Sequence, residues 1–445
     1  MTTVLAAFRH CRRPAPSLAA LVVLMVSVGL GVPGCSPGNQ TPDGPPSATL
    51  LVGRAVLPAD TFSPEPRPVG AALEPRINGR KLPFPAIPVQ GFSSLVLLDD
   101  FACVALQDNG FGTLANSPDY PLRWFQLKIH PLDPDTDGGP VEVLGHVDWA
   151  DPDQLLPFAL SRPDSGRFLY GADFDPESFC RMDDGSFWVG EEFGPSLLHL
   201  DGDGTLLEKP VAVPVVPPLR DYARGSPFLR TPDHPDLRKL RKEESRLELA
   251  NLPRSGGLEG LARNPAGTLL YTSVEKALVD DPRRTRRVIL EFEPTRRGFT
   301  GNFWLYPTDG EEISVASLEA VSERVLLVLE RDTKEGKAAR IKRIYRVDLD
   351  EIDRGGNLKK TLVADLIDIA DTDGLTRSER RAVGLGPRYS FPYVTPECLV
   401  VVDDRTLLVA NDNNFPMSSG RRPTDTPDDN EFILIRVERS LVGGS

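Results

Sequence analysis

A short apolar unit with carboxylates at both edges recurs along the 445-residue chain and constrains its fold more than any other feature. The clearest copy, DFDPESFCRMDDGSFWVGEE at 173–192, consists of two strand-like runs joined by a turn. Glu177 lies near its start, and Glu191 and Glu192 lie at its end. Short β-type runs bounded by turn residues are typical of β-hairpins. The unit therefore predicts a hairpin with acids at one edge.

Four more copies follow the same plan, the first of them degenerate. Their first and second polar positions are Ser94 and Asp108, Glu259 and Glu275, Glu319 and Glu330, and Glu397 and Asp412. The first positions (94, 177, 259, 319 and 397) lie 83, 82, 60 and 78 residues apart. Repeats of one β unit at such intervals indicate a β-propeller with long connections between its blades. We expect an all-β single propeller of six blades, with five or seven as alternatives.

The rest of the chain fits many strands joined by loops. From Thr49 onward short β-type runs alternate with turn signals, and 43 prolines and 38 glycines argue against a helical bundle. The stretch 235–250, PDLRKLRKEESRLELA, is charged with helical spacing and predicts a short inserted surface helix. The run 50–56 is expected to pair with 432–437, which would close the ring without a free edge.

The N-terminal segment has the pattern of an export signal. Arg9, Arg12 and Arg13 precede an apolar run at 18–32, and VPGC follows. This resembles a bacterial lipoprotein signal, in which the cysteine, here Cys35, is lipidated. An ordinary signal peptide cut nearby is the alternative, and the run is short for a membrane span.

The predicted organisation is a signal peptide at 1–34, a flexible tether at 35–48 and a propeller domain at 49–445. The expected location is the cell envelope, with the protein lipid-anchored and facing the periplasm or the exterior.

The charge excludes one class of partner. The chain has 51 basic and 64 acidic residues, and loss of the three signal arginines leaves 48 − 64 = −16. Non-specific nucleic-acid binding needs a basic surface, so no nucleic-acid partner is expected. We expect a monomer that meets the membrane only through its lipid anchor. Cys103, Cys180 and Cys398 form no C-x-x-C motif, so one disulfide with one buried thiol and three buried thiols both stay open.

Acids at one edge of several innermost strands would converge on the axis of a propeller. Clustered carboxylates repel each other unless a cation lies among them or some are protonated. An oxygen-only ligand set favours Ca²⁺ over zinc or copper. The alternative is that the acids are solvated residues at strand ends.

Several long motifs resemble a known family. QDNGFGTLANSPDYPLRWFQL, GADFDPESFCRMDDGSFWVGEEFGPSLLHLDGDG, GGLEGLARNPAGTLLYTSVEK, LLVLERD and TPECLVVVDDRTLLVANDNNFP are similar to the bacterial phytase-like propellers, which carry an esterase-like label. The resemblance covers roughly 50–437 and extends to β-propeller phytases and calcium-dependent lactonases, where acids at the channel mouth hold Ca²⁺. It implies the metal ligands Glu177, Glu192, Glu259, Glu275, Glu330, Glu397 and Asp412.

Metal-assisted hydrolysis fits these residues better than a serine triad. No G-x-S-x-G or H-E-x-x-H motif occurs, and His130, His146, His199 and His234 lie in no recognisable catalytic context.

The candidate catalytic residues are Glu259 and three cations that could stabilise developing charge, Arg254, Lys276 and Arg331. Neighbours on a strand face opposite ways, so Lys276 and Arg331 need a bulge or a strand end to reach the acids.

Two functions follow from the sequence, and the enzyme is favoured. The first is an extracytoplasmic calcium-dependent hydrolase of a phosphoester or carboxylic ester, acting on a small-molecule substrate through a metal-activated water. The second is a non-catalytic lipid-anchored propeller with structural calcium that binds a partner or an envelope glycan.

The lipid anchor predicts the behaviour of one variant. Cys35→Ser removes the only acylation site of the predicted signal, so we expect a soluble form instead of a membrane-bound one. Fractionation of cells with detection of the protein in each fraction measures this. A Cys35→Ser protein that stays with the membrane after signal cleavage would contradict the anchor.

Overall fold

The computed structural model describes residues 49–130, 139–423 and 426–443. The predicted signal peptide, the tether and Cys35 lie outside the described residues. Within them strands dominate, and no helix of the described part is long and apolar enough to cross a membrane.

The strands follow one another along the chain with few helical interruptions. They begin with β1 (Leu50–Leu57), β2 (Phe62–Val69), β3 (Arg76–Ile77), β4 (Arg80–Lys81) and β5 (Phe84–Pro88). Next come β6 (Phe92–Leu97), β7 (Ala102–Gln107), β8 (Arg123–Ile129), β9 (Gly139–Asp148), β10 (Pro176–Arg181), β11 (Phe187–Glu191), β12 (Ser196–Leu200) and β13 (Val211–Ala212). The helix α1 (Glu243–Leu249) precedes β14 (Leu258–Arg263), β15 (Leu270–Val274), β16 (Arg286–Glu293), β17 (Gly298–Pro307), β18 (Ser314–Ala320), β19 (Val325–Arg331), β20 (Lys342–Ile352) and β21 (Leu358–Asp365). The last are β22 (Ile369–Ala370), β23 (Arg388–Tyr389), β24 (Thr395–Asp403), β25 (Thr406–Asp412) and β26 (Asn430–Arg436). Short 3-10 helices lie at Asp99–Phe101, Pro217–Tyr222, Pro294–Arg296 and Gly336–Ala338.

Five antiparallel units of four strands organise the molecule, and we number them blades 1 to 5. Blade 1 is β6–β9, blade 2 is β10–β13, blade 3 is β14–β17 and blade 4 is β18–β21. Blade 5 is β24, β25, β26 and then β1 from the opposite end of the chain. The first strands β6, β10, β14, β18 and β24 contact one another in a closed ring. The fold is therefore a β-propeller.

The core is divided among the spaces between blades. Five clusters of buried apolar residues each join two neighbouring blades around the ring. Inner strands are covered on both faces, which explains their continuous apolar sequence; all seven residues of β19 are buried. Outer strands such as β20 alternate buried and exposed residues. A sixth cluster joins the β2–β5 region to the loops above blades 1 and 5.

Ring closure uses both ends of the described chain. Strand β1 pairs antiparallel with β26 from Leu50 opposite Arg436 to Leu57 opposite Asn430, as expected from the sequence. Strand β1 also pairs with β9 of blade 1 over two residues, so blades 1 and 5 share one continuous sheet. The edges of these two blades are thereby covered.

Two expectations need correction. The described residues form five blades, so the favoured count of six is not confirmed; the long intervals hold loops and the β2–β5 layer instead of another four-stranded sheet. The inserted helix is shorter than 235–250, because residues 235–239 form turns and α1 begins only at Glu243. The three cysteines of the described part are free and buried, which agrees with the second of the two alternatives.

A buried ionic cluster lies beside the closing strands. Arg54 of β1 donates to Glu431 of β26 at 2.8 Å, and Arg421 donates to the same oxygen at 2.9 Å. The hydroxyls of Tyr389 and Tyr393 also donate to this carboxylate. Burial alone would raise the pKa of Glu431, but the two guanidinium groups hold it well below its ordinary value. The cluster is therefore charged at neutral pH, and its stabilisation is lost only in strong acid.

Glu431→Gln should destabilise the propeller strongly. The substitution leaves two buried guanidinium groups without their counter-charge, which costs about 3–5 kcal/mol in the free energy of unfolding. Chemical denaturation measures the difference. Asp368→Asn is the control, because it breaks an exposed ion pair with Arg388 and should cost under about 1 kcal/mol. Equal losses of unfolding free energy in the two variants would contradict a stabilising role of the cluster.

Candidate metal centre at the channel mouth

Each innermost strand carries a β-bulge near its start. The pairing with the second strand of the blade shifts at one residue, which leaves that residue unpaired. The five bulged residues, in blade order, are Ser93, Glu177, Glu259, Ala316 and Glu397. The three glutamates among them line one cavity at the mouth of the channel. The bulge is therefore the local device that presents an acid at the mouth.

The second strand of each blade supplies the second polar position of the repeated unit. The residues that pair just before each bulge are Gln107, Glu191, Val274, Glu330 and Asn411. The residues that follow them are Asp108, Glu192, Glu275, Arg331 and Asp412, and all five line the cavity. The spacing from bulge to this position is 15 residues in four blades and 16 in blade 3, as in 93 to 108 and 259 to 275.

Blade 4 departs from the sequence expectation. The register places Ala316, not Glu319, at the bulge, and it places Arg331, not Glu330, at the mouth. Glu330 points the other way, because neighbours on a strand face opposite sides. Its Oε1 accepts hydrogen bonds from Tyr306 at 2.6 Å and Lys360 at 2.5 Å. Glu330 is thus not brought together with the other predicted ligands. In blade 1 the bulged residue is Ser93, one position before the expected Ser94.

The cavity has a volume of about 200 Å³ and a strongly acidic lining. Its charged residues are Asp108, Asp175, Glu177, Glu192, Glu259, Glu275, Glu397 and Asp412 with Lys276 and Arg331. Six of the seven predicted ligands are therefore brought together. The sequence pattern did not single out Asp175, although the residue lies two positions before Glu177 in the unit at 173–192.

Arg331 lies among the acids of the two flanking blades. Its Nη2 is 3.0 Å from Oε1 of Glu397, 3.3 Å from Oε1 of Glu275 and 3.5 Å from Oε1 of Glu259. Burial lowers the pKa of Arg331, but the surrounding carboxylates raise it further, so the net shift is upward. Arg331 is therefore a fixed positive charge at the mouth.

Free oxygen atoms remain on the same carboxylates. Oε2 of Glu259 and Oε2 of Glu397 have no hydrogen-bond partner, although the residues are only 4% and 3% exposed. An unpaired buried charge is costly, so these atoms indicate a missing positive partner.

Three groups of acids have ligand atoms within 4.8 Å of one another: Asp175, Glu177 and Glu192; Glu177, Glu259 and Glu397; and Glu192, Glu259 and Glu275. Carboxylate oxygens are the ligands that Ca²⁺ prefers, so the arrangement is compatible with a divalent cation.

Crowding raises the pKa of the acids. Burial, then the charge of Glu275, raises the pKa of Glu192 to about 8. Burial raises the pKa of Asp412 to about 6. Burial, followed by the neighbouring carboxylates, also raises the pKa values of Glu177 and Glu259 well above the ordinary range. Without a cation the acids therefore hold protons at pH values where an exposed carboxylate is ionised.

The two other predicted cations have different positions. Lys276 lies beyond the end of β15, and its Nζ is 3.1 Å from Oε2 of Glu275 at the cavity. Because Lys276 lies beyond the strand, the alternation of strand faces does not keep its side chain from the acids. Arg254 does not line the cavity, because its Nε is 2.6 Å from Asp233 and its Nη1 is 2.9 Å from Glu243. The structure therefore does not bring Arg254 together with the other candidates, since both acids come from the loop region that carries α1.

Backbone contacts hold Glu191 and Glu192 in different roles. Glu191 accepts from the amides of Phe193 and Gly194, both at 2.9 Å, and so stabilises the turn after β11. Glu192 accepts from the amide of Gly257 at 3.2 Å. A Cβ at Gly257 would lie 2.5 Å from the carbonyl oxygen of Glu192, so only glycine permits this close approach of blades 2 and 3.

A serine, a histidine and a glutamate also align in blade 2, away from the mouth. His199 lies 3.0 Å from Oγ of Ser186 and 2.9 Å from Oε1 of Glu208. Ser186 is only 6% exposed, and its hydroxyl also lies 2.6 Å from Oδ1 of Asp184. The imidazole stacks on Trp188. The group fixes the β10–β11 turn and does not present a free nucleophile.

Comparison with known proteins identifies one family match. Residues 87–415 match the family described as "Phytase-like: Esterase-like activity of phytase". No curated protein matches the chain by sequence.

Among solved structures, regucalcin from Agrobacterium tumefaciens, a calcium-binding protein, is 13% identical with a TM-score of 0.32, covering 88% of this chain and 92% of that one. PQQ-bound aldose sugar dehydrogenase from Streptomyces coelicolor is 12% identical with a TM-score of 0.32, covering 89% and 100%. The Dos1 propeller is 10% identical with a TM-score of 0.30, covering 79% and 69%.

Removal of divalent cations should make stability fall as pH rises. In chelated protein the pKa of Glu192 is about 8, against an ordinary glutamate pKa of 4.5. Between these two pH values the native state therefore binds more protons than the unfolded state. Stability then decreases with pH across this interval. The melting temperature with EDTA should be lower at pH 8 than at pH 5.5, and Ca²⁺ should restore it more at pH 8. A melting temperature that does not respond to chelator or Ca²⁺ at either pH would contradict the shared site.

Proposed function

The chain belongs to the phytase-like family, and on that basis we propose that it is an extracytoplasmic, calcium-dependent hydrolase of a phosphoester or a carboxylic ester. The observation that carries the proposal is the composition of the mouth. Buried carboxylate oxygens without partners face one cavity together with Arg331 and Lys276. A purely structural cation site would not need two basic side chains beside the free oxygens. The lipid anchor at Cys35 and the location in the envelope are part of the proposal.

The residues that would hold the ion are glutamates of blades 2 and 3. Each pair among Glu177, Glu192 and Glu259 occurs in one of the three groups of close ligand atoms, and all three residues are buried. A bound divalent cation supplies Lewis acidity, which polarises an ester oxygen and lowers the pKa of a water.

The chain's own charges have separable tasks at the mouth. Arg331 is held in place by three carboxylates, so it can stabilise negative charge that develops on a substrate oxygen without reorganising. Lys276 is 32% exposed on its side chain, so it can attract an anionic group at the rim. Oε2 of Glu259 is buried without a hydrogen-bond partner, so this oxygen is available to bind the cation.

The proposal is tested with Glu259→Gln. Purified protein is assayed on phytate, p-nitrophenyl phosphate and short acyl esters, with Ca²⁺ and with chelator. We expect calcium-dependent turnover that falls roughly a hundredfold or more in Glu259→Gln, because the variant loses a carboxylate that would bind the cation. Ser186→Ala is the matched control, since it removes the hydroxyl of the aligned serine group and should retain activity.

Two outcomes would contradict the proposal. Turnover that is lost in Ser186→Ala and kept in Glu259→Gln would assign the reaction to the serine group. Stabilisation by Ca²⁺ without turnover on any of these esters would favour the binding propeller that the sequence left open.

A further inference from the structure

The charges around the mouth are unequal, and blade 4 alone places a positive charge at one of the two repeat positions. Blades 2, 3 and 5 each present an acid at the bulge and an acid at the end of the second strand. Blade 4 presents Ala316 and Arg331 at the same two positions. One acid position therefore carries no charge, and the other carries the opposite charge. This inversion lies in the repeat itself and not in an inserted loop.

Arg331 bridges the blades on both sides of its own. One nitrogen, Nη2, is within 3.5 Å of an oxygen of Glu259 and Glu275 in blade 3 and of Glu397 in blade 5. At the bulge of blade 4 the apolar Ala316 stands where blades 2, 3 and 5 place a carboxylate. Arg331 thus occupies the position among these three acids that a cation ligated by the ring would take.

The acids of blade 2 lack such a partner. Within the described residues, no lysine, arginine or histidine forms an ion pair with Asp175, Glu177 or Glu192. Arg331 pairs with acids of blades 3 and 5 instead, and Lys276 pairs with Glu275 of blade 3. The uncompensated negative charge is therefore concentrated on the blade 2 side of the mouth.

The three close groups of acids overlap in pairs, and each overlap is Glu177, Glu192 or Glu259. Glu177, Glu192 and Glu259 each belong to two of the three groups, so every pair among them has ligand atoms within 4.8 Å. Glu259 is the residue that joins the two sides. Its Oε1 faces Arg331, whereas its Oε2 is buried and has no partner. The free oxygen marks the side of Glu259 on which a second positive charge is missing.

We infer that the mouth holds one divalent cation, among Glu177, Glu192 and Glu259, and that Arg331 is a built-in positive charge in place of a second ion. The inference rests on the metal site of the proposed function but not on the reaction. It follows that an anionic group of a substrate meets one ion and one guanidinium. Arg331 is then a positioning residue for three carboxylates as well as a contact for the anion.

The number of bound ions tests the inference directly. Metal-free protein is dialysed against Ca²⁺, and the ions per chain are counted by elemental analysis and by calorimetric titration. We expect one ion in the wild-type chain and two in Arg331→Met, because loss of the guanidinium frees the oxygens of Glu259, Glu275 and Glu397. Arg331→Lys keeps the charge and should stay at one. Arg254→Met removes an arginine outside the cavity and should also stay at one.

A second pair of variants tests the position should Arg331→Met fail to fold. Glu177→Gln should reduce the count from one to zero, because this carboxylate belongs to two of the three close groups. Glu275→Gln should leave one ion, because Glu275 is a partner of Arg331 and Lys276.

Two or more ions in the wild-type chain, or an unchanged count in a folded Arg331→Met, would overturn the inference. A wild-type chain that binds no ion would overturn both this inference and the metal site of the proposed function. One ion without turnover on any ester would remove the hydrolase and leave the inference standing.

Discussion

Repulsion between buried carboxylates is the constraint on which the centre of this molecule depends. Three bulged glutamates and five strand ends meet at one mouth, and eight carboxylates line a cavity of about 200 Å³ there. Such crowding persists only if the scaffold is rigid enough to prevent the acids from separating and if positive charge is supplied between them. Arg331 supplies part of that charge from within the chain. The remaining imbalance makes the mouth compatible with a bound cation.

The scaffold meets the first of these conditions through ring closure. Each pair of neighbouring blades shares an apolar cluster, so no blade can tilt outward without exposing two cores. The pairing of β1 with β26 joins the ends of the chain, and the ionic cluster of Arg54, Arg421 and Glu431 lies beside that seam. Stability gathered at the blade interfaces thus offsets the electrostatic cost at the mouth. This is the arrangement expected of a preorganised site on rigid elements.

The candidate site was largely predictable where the repeat is regular. Glu177, Glu259 and Glu397 follow a Pro or Leu at the start of an apolar run, and their partners Glu192, Glu275 and Asp412 end the next run. Prediction failed in blade 4, where Glu319 and Glu330 match the motif but lie out of register with the mouth. A shift of one residue reverses the face of a strand, and only the observed pairing shows where the bulge lies. Arg254 failed for another reason: its neighbours Asp233 and Glu243 come from a loop region whose path is not encoded in strand periodicity.

The amino-acid sequence alone determined the all-β class, the propeller, the return of β1 to the C-terminal strand and the identity of most acids at the mouth. These features depend on local periodicity and on repeats, both of which are properties of short segments. The tertiary structure alone decided the number of blades, the register of blade 4, the buried ionic cluster around Glu431 and the place of Arg331 among three carboxylates. Each of these depends on which distant segments pack together, because a long interval can hold either a loop or a blade and a one-residue shift exchanges a glutamate for an arginine.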